Sequence, residues 1–104
     1  MEQPTHKEEM NVKIYLAGAG TPEQYKKAET VLREKGYAVF GAAVLPEGMR
    51  KEDHVTSCKS MIDAADMVLF LKGWQENKEA CLTAAYCELI NKMTCTEDTC
   101  DGKR

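Results

Sequence analysis

An uninterrupted apolar run, Met67-Val68-Leu69-Phe70-Leu71, is the feature that most constrains how this chain can fold. A strand with one face in water alternates apolar and polar residues, whereas a run without alternation is typical of a strand buried on both faces. Such strands occur in parallel sheets, because the crossover helices cover both sides of the sheet. The run therefore predicts a parallel sheet with helices on either face.

Other predicted elements alternate with this strand along the chain. Strands are predicted at residues 12–17 and 37–40, with a short edge strand at 93–96, and helices at residues 21–35, 51–65 and 77–92. Since parallel strands are joined by right-handed crossovers, few strand orders other than 2-1-3-4 are possible. We expect an α/β fold, a small Rossmann-like three-layer sandwich whose parallel sheet has about four strands and helices on both faces. Without the edge strand the sheet would have three strands.

The first helix has clear signals at both ends. Thr21 is the predicted N-cap, Pro22 occupies the first helical position, and Gln24 completes a capping box. Lys35 and Gly36 are the cation and the C′ glycine that favour the end of a helix. The helix is therefore predicted to begin directly after the segment Gly18-Ala19-Gly20.

Composition and charge are ordinary for one globular domain. Hydrophobic residues make up 43% of the 104 residues, and the formal net charge is -3. This charge gives no general attraction to nucleic acid or to an anionic membrane, so we expect neither as a partner. The N-terminal residues lack an apolar signal region, and the longest apolar stretch, residues 37–45, is too short to span a bilayer. We expect a cytoplasmic protein with a polar lead-in at 1–11, one domain at 12–96 and a polar tail at 97–104.

The five cysteines do not form a metal-binding pattern. Cys58, Cys81 and Cys87 fall in helical apolar patterns and are interpreted as small buried hydrophobic residues in a reducing compartment. Cys95 and Cys100 form a C-x4-C pair, but no histidine or second pair completes a zinc site. We therefore expect no metal and no cofactor.

Strand order 2-1-3-4 predicts where a ligand binds. The order reverses between the first and third strands, so a ligand is expected at their carboxyl ends, beside Gly18-Ala19-Gly20 and Lys72-Gly73-Trp74. The glycines allow close approach of the backbone, and the helix beginning after Thr21 points free N–H groups there. Trp74 could stack on a base or sugar. The alternatives are a tight strand–helix turn for the glycines and a core or subunit contact for Trp74.

Several segments, in order, resemble the nucleoside 2-deoxyribosyltransferase-like proteins, and in particular a short phage and bacterial branch of that group described as a domain of unknown function. Lys13-Ile14-Tyr15-Leu16-Ala17-Gly18 resembles their opening strand and glycine turn. The later matching features are Cys58, Asp66, the apolar run 67–71, Gly73 and Trp74. The resemblance covers residues 12–96 and implies a small-molecule nucleotide or nucleoside as ligand and a homo-oligomer as assembly.

The resemblance also implies a chemistry and its residues. Active members cleave or transfer at an N-glycosidic bond, with a carboxylate attacking the anomeric carbon. Their Ser-x-Gly-Ala-x-x-Glu pattern falls on Asn77 to Thr83, so Thr83 stands where the nucleophilic glutamate is found. Glu79 lies one turn earlier on the same helix face and could substitute, although a glutamate there also suits the helix dipole. The acid-assist position falls near Cys58, and Asp63 is the acidic residue close to it.

Three functions follow from these residues. The first is a catalytically degenerate protein that binds a nucleotide or nucleoside through Gly18, Ala19, Gly20, Gly73, Trp74, Asn77 and Thr83. The second is an active deoxyribosyltransferase or nucleotide N-glycosidase that uses Glu79 and Asp63. The third is an interaction module with a vestigial cleft. His54 has no partner that the sequence reveals, and we interpret it as a surface residue.

Overall fold

The fold is an α/β sandwich built on a parallel sheet, in a computed structural model that describes residues 12–42 and 45–97. Within these residues the strands are β1 (Lys13–Ala17), β2 (Ala38–Gly41), β3 (Met67–Phe70) and β4 (Thr94–Thr96). The helices are α1 (Pro22–Glu34), α2 (Lys51–Ala64) and α3 (Lys78–Ile90), with a 3₁₀ turn at Trp74–Glu76 before α3. No helix in this part of the chain is long and apolar enough to cross a membrane.

The sheet has the predicted topology. Its order is β2-β1-β3-β4, and every neighbouring pair is parallel. Tyr15 on the central strand β1 pairs with Phe40 of β2 on one side and with Val68 of β3 on the other. The predicted α/β class, the four strands and the order 2-1-3-4 are confirmed, including the edge strand β4.

Strand alternation divides the core between the two faces of the sheet. One cluster includes Tyr15, Val68 and Phe70 with residues of α2 and α3, whereas the other includes Leu16, Leu69 and residues of α1. Both faces of β1 and β3 are therefore buried, which is why β3 is an apolar run without alternation. Helices α2 and α3 cover one face and α1 covers the other.

Local hydrogen bonds fix the ends of α1. The Thr21 hydroxyl accepts from the Gln24 backbone N–H at 3.1 Å, as the N-cap prediction requires. The Gln24 side chain accepts from the Gly20 N–H at 2.7 Å, one residue before the position expected in a capping box. At the other end Gly36 has a φ of 95°, and the N–H groups of Gly36 and Tyr37 donate to carbonyls of the last turn.

The cysteines differ in environment more than the sequence pattern predicted. Cys87 is fully buried and confirms that prediction, while Cys58 is half-buried. Cys81 is exposed, so its predicted burial is wrong. It lies on the side of α3 where its Sγ contacts the Gln75 carbonyl oxygen at 3.3 Å, not the sheet. Cys95 is disulfide-bonded rather than free, and Cys100 lies outside the described residues.

Candidate functional site

A cleft of about 540 Å³ lies at the carboxyl end of β1. Its walls are the turn after β1, the first residues of α1, the loop before α2 and the first turns of α3. In a parallel sheet the crossover connections leave room for a ligand at this edge, where the strand order reverses. The volume falls within the range of about 300–1,000 Å³ that small-molecule sites occupy.

Two helices begin at this cleft. Thr21 caps α1, and Asn77 caps α3 by accepting from the Ala80 backbone N–H at 2.9 Å. Both N-caps line the cleft, together with Pro22 at the start of α1. Since the N-terminus of a helix carries a partial positive charge, the cleft receives two helix dipoles that favour a negatively charged group.

The glycine turn after β1 lines the cleft, as Gly18, Ala19 and Gly20 were expected to do. Gly18 has a φ of 88°, and a Cβ built on it would lie 2.5 Å from the Trp74 Cβ. The Gly20 N–H is already bonded to the Gln24 side chain, whose amide in turn donates to the Lys72 carbonyl at 3.0 Å. The turn is thus held closely against the segment that follows β3.

Gly73 and Trp74 occupy a different place from the cleft mouth that was expected for them. Neither is among the residues that line the cleft, as far as the described chain extends. The Trp74 ring packs against Phe70 with 4.7 Å between ring centroids, and its side chain is half-buried against the core. This arrangement matches the core alternative for Trp74, and an indole packed there is not placed to stack on a ligand in the cleft.

Glu79 and Thr83 project from α3 into the cleft, one helical turn apart. The Glu79 Oε2 atom lies 3.1 Å from His54 Nε2, a distance typical of an ion pair when the imidazole is protonated. The two side chains are not aligned for a hydrogen bond, and among the described residues the buried His54 Nε2 atom has no hydrogen-bond partner. The Glu79 side chain is 66% exposed, so its carboxylate is accessible from the cleft.

His54 is a site residue that the sequence did not reveal. It lies 25 positions before Glu79, on the first turns of α2, and no spacing rule connects the two. Only the packing of α2 beside α3 brings them together. The available signal was weak: a histidine at a helix start after the loop at the carboxyl end of β2.

Tyr15 and Cys58 lie beside this pair. Burial, followed by its hydrogen bond to the Cys58 side chain, raises the pKa of Tyr15 far above its usual value. Burial likewise raises the pKa of the Cys58 thiol, although the bond from Tyr15 offsets part of the effect. Both groups are therefore neutral near pH 7, and Cys58 is not an activated thiolate.

Asp63 is distant from the cleft. It is exposed near the C-terminal end of α2, where its Oδ1 accepts a 2.8 Å bond from the Tyr86 hydroxyl. This bond is the main cause that raises the pKa of Tyr86. The structure therefore does not bring the two predicted catalytic carboxylates, Asp63 and Glu79, to one place.

A second, apolar pocket of about 300 Å³ lies between α2 and α3. It shares Tyr15, His54, Glu79 and Thr83 with the cleft. Its remaining walls come mainly from apolar side chains of the two helices, namely Val55, Cys58, Ile62, Leu82 and Tyr86, with Lys59 at the rim. The candidate site thus has a polar part with two helix N-termini and an apolar part, joined at the His54–Glu79 pair.

Across residues 12–42 and 45–97, no three histidine, cysteine, aspartate or glutamate side chains are grouped so that they could hold a metal ion.

Comparison with known proteins identifies the family of this chain. No curated protein matches the chain. The family described as a domain of unknown function, DUF4406, matches residues 12–95, a stretch that begins just before β1 and ends within β4. The match includes the whole cleft and the apolar pocket. Because it covers most of the chain, the protein belongs to the DUF4406 family.

Proposed function

We propose that this protein binds a nucleotide or nucleoside in the cleft at the carboxyl end of β1 and does not cleave it. The observation that carries the proposal is that α1 and α3 both begin at one cleft, with the caps Thr21 and Asn77 in its wall. Two helix N-termini favour an anionic group such as a phosphate. The missing carboxylate at Thr83 favours binding without cleavage.

Charge suggests the orientation of the ligand. The Glu79 carboxylate lies at the α3 side of the cleft and would repel a phosphate there. The other carboxylate of the cleft wall is that of Glu47, in the loop before α2, whereas the wall formed by Thr21 and Pro22 at the start of α1 contributes no carboxylate of its own, so the phosphate is expected at Thr21 and Pro22. The sugar and base would then lie toward Glu79 and the apolar pocket.

The test is proton NMR of the full chain mixed with deoxynucleosides, their monophosphates and ribonucleotides. Selective broadening of nucleotide resonances, without growth of free-base signals, is the expected result. Pro22→Glu puts a carboxylate at the proposed phosphate position and should weaken binding about tenfold, because the two negative charges repel each other. Thr30→Glu adds the same charge at an exposed position of α1 away from the cleft, and its binding should equal that of the original protein. No broadening by any compound, or equal loss in both variants, would contradict the proposal.

A second candidate function is favoured by the contact between Glu79 and His54. An accessible carboxylate in the cleft could attack an anomeric carbon, forming a C–O bond as the C–N bond to the base breaks. The departing base takes the electron pair and needs a proton, which protonated His54 at 3.1 Å from Glu79 could supply. This reading makes the protein a deoxyribosyltransferase or nucleotide N-glycosidase.

The same NMR samples separate the two functions. Under the second, free-base signals grow with time, Glu79→Gln stops them, and the ligand still broadens. Glu76→Gln removes an exposed carboxylate from the neighbouring 3₁₀ turn and serves as the control that keeps full turnover. Turnover that survives Glu79→Gln would exclude Glu79 as the nucleophile.

Two further parts of the proposal come from the resemblance and the sequence. A homo-oligomeric assembly is implied by the nucleoside 2-deoxyribosyltransferase-like proteins. A cytoplasmic location is the second part, and it stays a prediction from the sequence.

A further inference from the structure

Tyr25 occupies a core position on α1 that a phenylalanine side chain would also fill. The residue is 7% exposed and belongs to the cluster that includes Leu16. Its hydroxyl group is buried as well, and it has no hydrogen-bond partner among residues 12–42 and 45–97. A buried hydroxyl without a partner destabilises a fold relative to the matching hydrocarbon. The packing of the core therefore does not explain why this ring carries a hydroxyl.

The position of Tyr25 indicates a partner outside the chain. Tyr25 is one of the residues that line the cleft at the carboxyl end of β1. A Cβ built on Gly41, the last residue of β2, would lie 3.2 Å from a ring carbon of Tyr25, so the ring lies against the end of β2. Ligands of parallel sheets bind at this edge. The buried hydroxyl thus belongs to a side chain in the wall of the cleft.

The same cleft contains a second buried polar atom without a partner. In the part of the chain that the structure describes, the buried side-chain nitrogen and oxygen atoms that lack a hydrogen-bond partner are the Tyr25 hydroxyl and His54 Nε2. His54 also lines the cleft. Native proteins leave few such groups, and each one needs an explanation. Their occurrence in one cleft favours a ligand as their partner.

The cleft wall at the start of α1 offers few hydrogen-bond donors to a phosphate. Pro22 has no N–H group. The Gly20 N–H already donates to the Gln24 side chain at 2.7 Å, and the Gln24 N–H donates to the Thr21 hydroxyl at 3.1 Å. None of the described residues that line the cleft is a lysine or an arginine. A phosphate at Thr21 and Pro22 therefore needs a further, uncharged donor.

The Tyr25 hydroxyl can act as that donor. Tyr25 lies one turn after Thr21, and its N–H donates to the Thr21 carbonyl at 3.2 Å, so both residues belong to the start of α1. Burial, followed by the nearby Glu29 carboxylate, raises the pKa of Tyr25, so the hydroxyl keeps its proton near pH 7. An O–H group that donates to a phosphate oxygen forms a charge-assisted hydrogen bond, which is stronger than a bond to a neutral acceptor.

We propose that the Tyr25 hydroxyl donates a hydrogen bond to the phosphate of the ligand and makes the cleft selective for phosphorylated nucleosides. This inference rests on the proposed function, which places the phosphate at Thr21 and Pro22. Tyr25→Phe removes the hydroxyl and keeps the ring. The variant should bind the phosphorylated ligand more weakly, yet without ligand it should unfold at a temperature no lower than that of the original protein. A hydroxyl with a structural role would give the reverse.

Calorimetric titration compares the deoxynucleoside monophosphates with the corresponding deoxynucleosides. Tyr25→Phe should weaken binding of the monophosphates about tenfold and leave binding of the nucleosides unchanged. Tyr37→Phe removes the hydroxyl of a half-buried tyrosine that does not line the cleft, and this control should bind both kinds of compound as the original protein does. Equal binding of the monophosphates by the original protein and Tyr25→Phe, or an equal loss for both kinds of compound, would overturn the inference.

If none of these compounds binds, the proposed function fails, and inorganic phosphate then tests Tyr25 alone. At constant ionic strength, phosphate should raise the unfolding temperature of the original protein and of Tyr37→Phe equally, and that of Tyr25→Phe by clearly less. Equal shifts in the three proteins, or no shift in any, would overturn the role of Tyr25. A lower unfolding temperature of Tyr25→Phe without phosphate would also overturn it, because the hydroxyl must then have a partner within the chain.

Discussion

Gly18 joins the candidate site to the core through a single close contact. Its left-handed backbone, with a φ of 88°, turns the chain from β1 toward α1. The absence of a side chain lets Trp74 pack directly against that turn, since a Cβ would come within 2.5 Å of the Trp74 Cβ and 3.0 Å of its Cα. Gly18 therefore shapes the cleft by what it allows to pack behind it.

Gly18→Ala should destabilise the protein for two reasons, and a matched glycine separates them. Gly73 has a φ of 86°, and no atom of the described residues lies within 4 Å of an added Cβ, so Gly73→Ala should cost only what the left-handed backbone costs, about 1 kcal/mol. Gly18→Ala adds the clash with Trp74 and should lose a further ~1–3 kcal/mol. Urea unfolding measures both values. Equal losses of stability in the two variants would mean that Trp74 moves away from the added methyl group without a cost in free energy.

Helices α2 and α3 differ in how their N-termini are capped, and this difference should be measurable in the stability of the protein. Asn77 bonds the Ala80 N–H at the start of α3, whereas Arg50 at the start of α2 makes no side-chain bond to the helix. The Arg50 side chain pairs with the exposed carboxylates of Glu52 and Asp53, at 3.9 and 3.7 Å. Exposed ion pairs of this kind contribute little to stability.

Asn77→Ala should therefore lower the free energy of unfolding by about 1 kcal/mol, because it removes an N-cap acceptor. Asn77→Ser keeps a hydroxyl that can accept from Ala80 and should recover most of the loss. Arg50→Ala, at an N-cap without a side-chain bond, should change stability by less than about 0.5 kcal/mol. Chemical denaturation of the three variants checks the order of their stabilities. A loss of stability in Arg50→Ala as large as that in Asn77→Ala would contradict the prediction.

The elements could be predicted from sequence because their signals are local. Thr21, Pro22 and Gly36 mark the ends of α1 within a few residues, and the run 67–71 identifies a strand buried on both faces. The strand order followed from the handedness of crossovers. These inferences need only neighbours along the chain and a general rule of chirality.

The arrangement of side chains in the candidate site depends on contacts between residues that are distant in sequence. No local sequence pattern indicates such contacts. His54 reaches Glu79 only because α2 lies beside α3. Trp74 turned toward Phe70 because Gly18 leaves space behind the β1 turn. Asp63, though on the expected helix, lies near its C-terminal end and meets Tyr86 there.

In the molecule as a whole, the sheet has a hydrophobic core on each of its two faces. The α1 side contains Leu71 and Leu16, and the side of α2 and α3 contains Val68 and Ile62. Because alternate residues of the same strands belong to the two cores, neither core can lose its packing while the strands stay in place. The protein should therefore unfold as one cooperative unit.

Leu71→Ala tests this coupling from one face to the other. Leu71 is fully buried on the α1 side, so the substitution should lower the free energy of unfolding by about 2–5 kcal/mol. Trp74 reports on the opposite face, where it packs against Phe70. In urea, the fluorescence of Trp74 and the far-ultraviolet circular dichroism should shift together to the same lower midpoint, with an unchanged dependence on denaturant.

Val31→Ala, at an exposed position of α1, is the control and should change the free energy of unfolding, measured by either signal, by no more than ~0.5 kcal/mol. If Leu71→Ala lowered the midpoint of circular dichroism but left that of Trp74 fluorescence in place, the two cores would be independent and the sheet would not couple them.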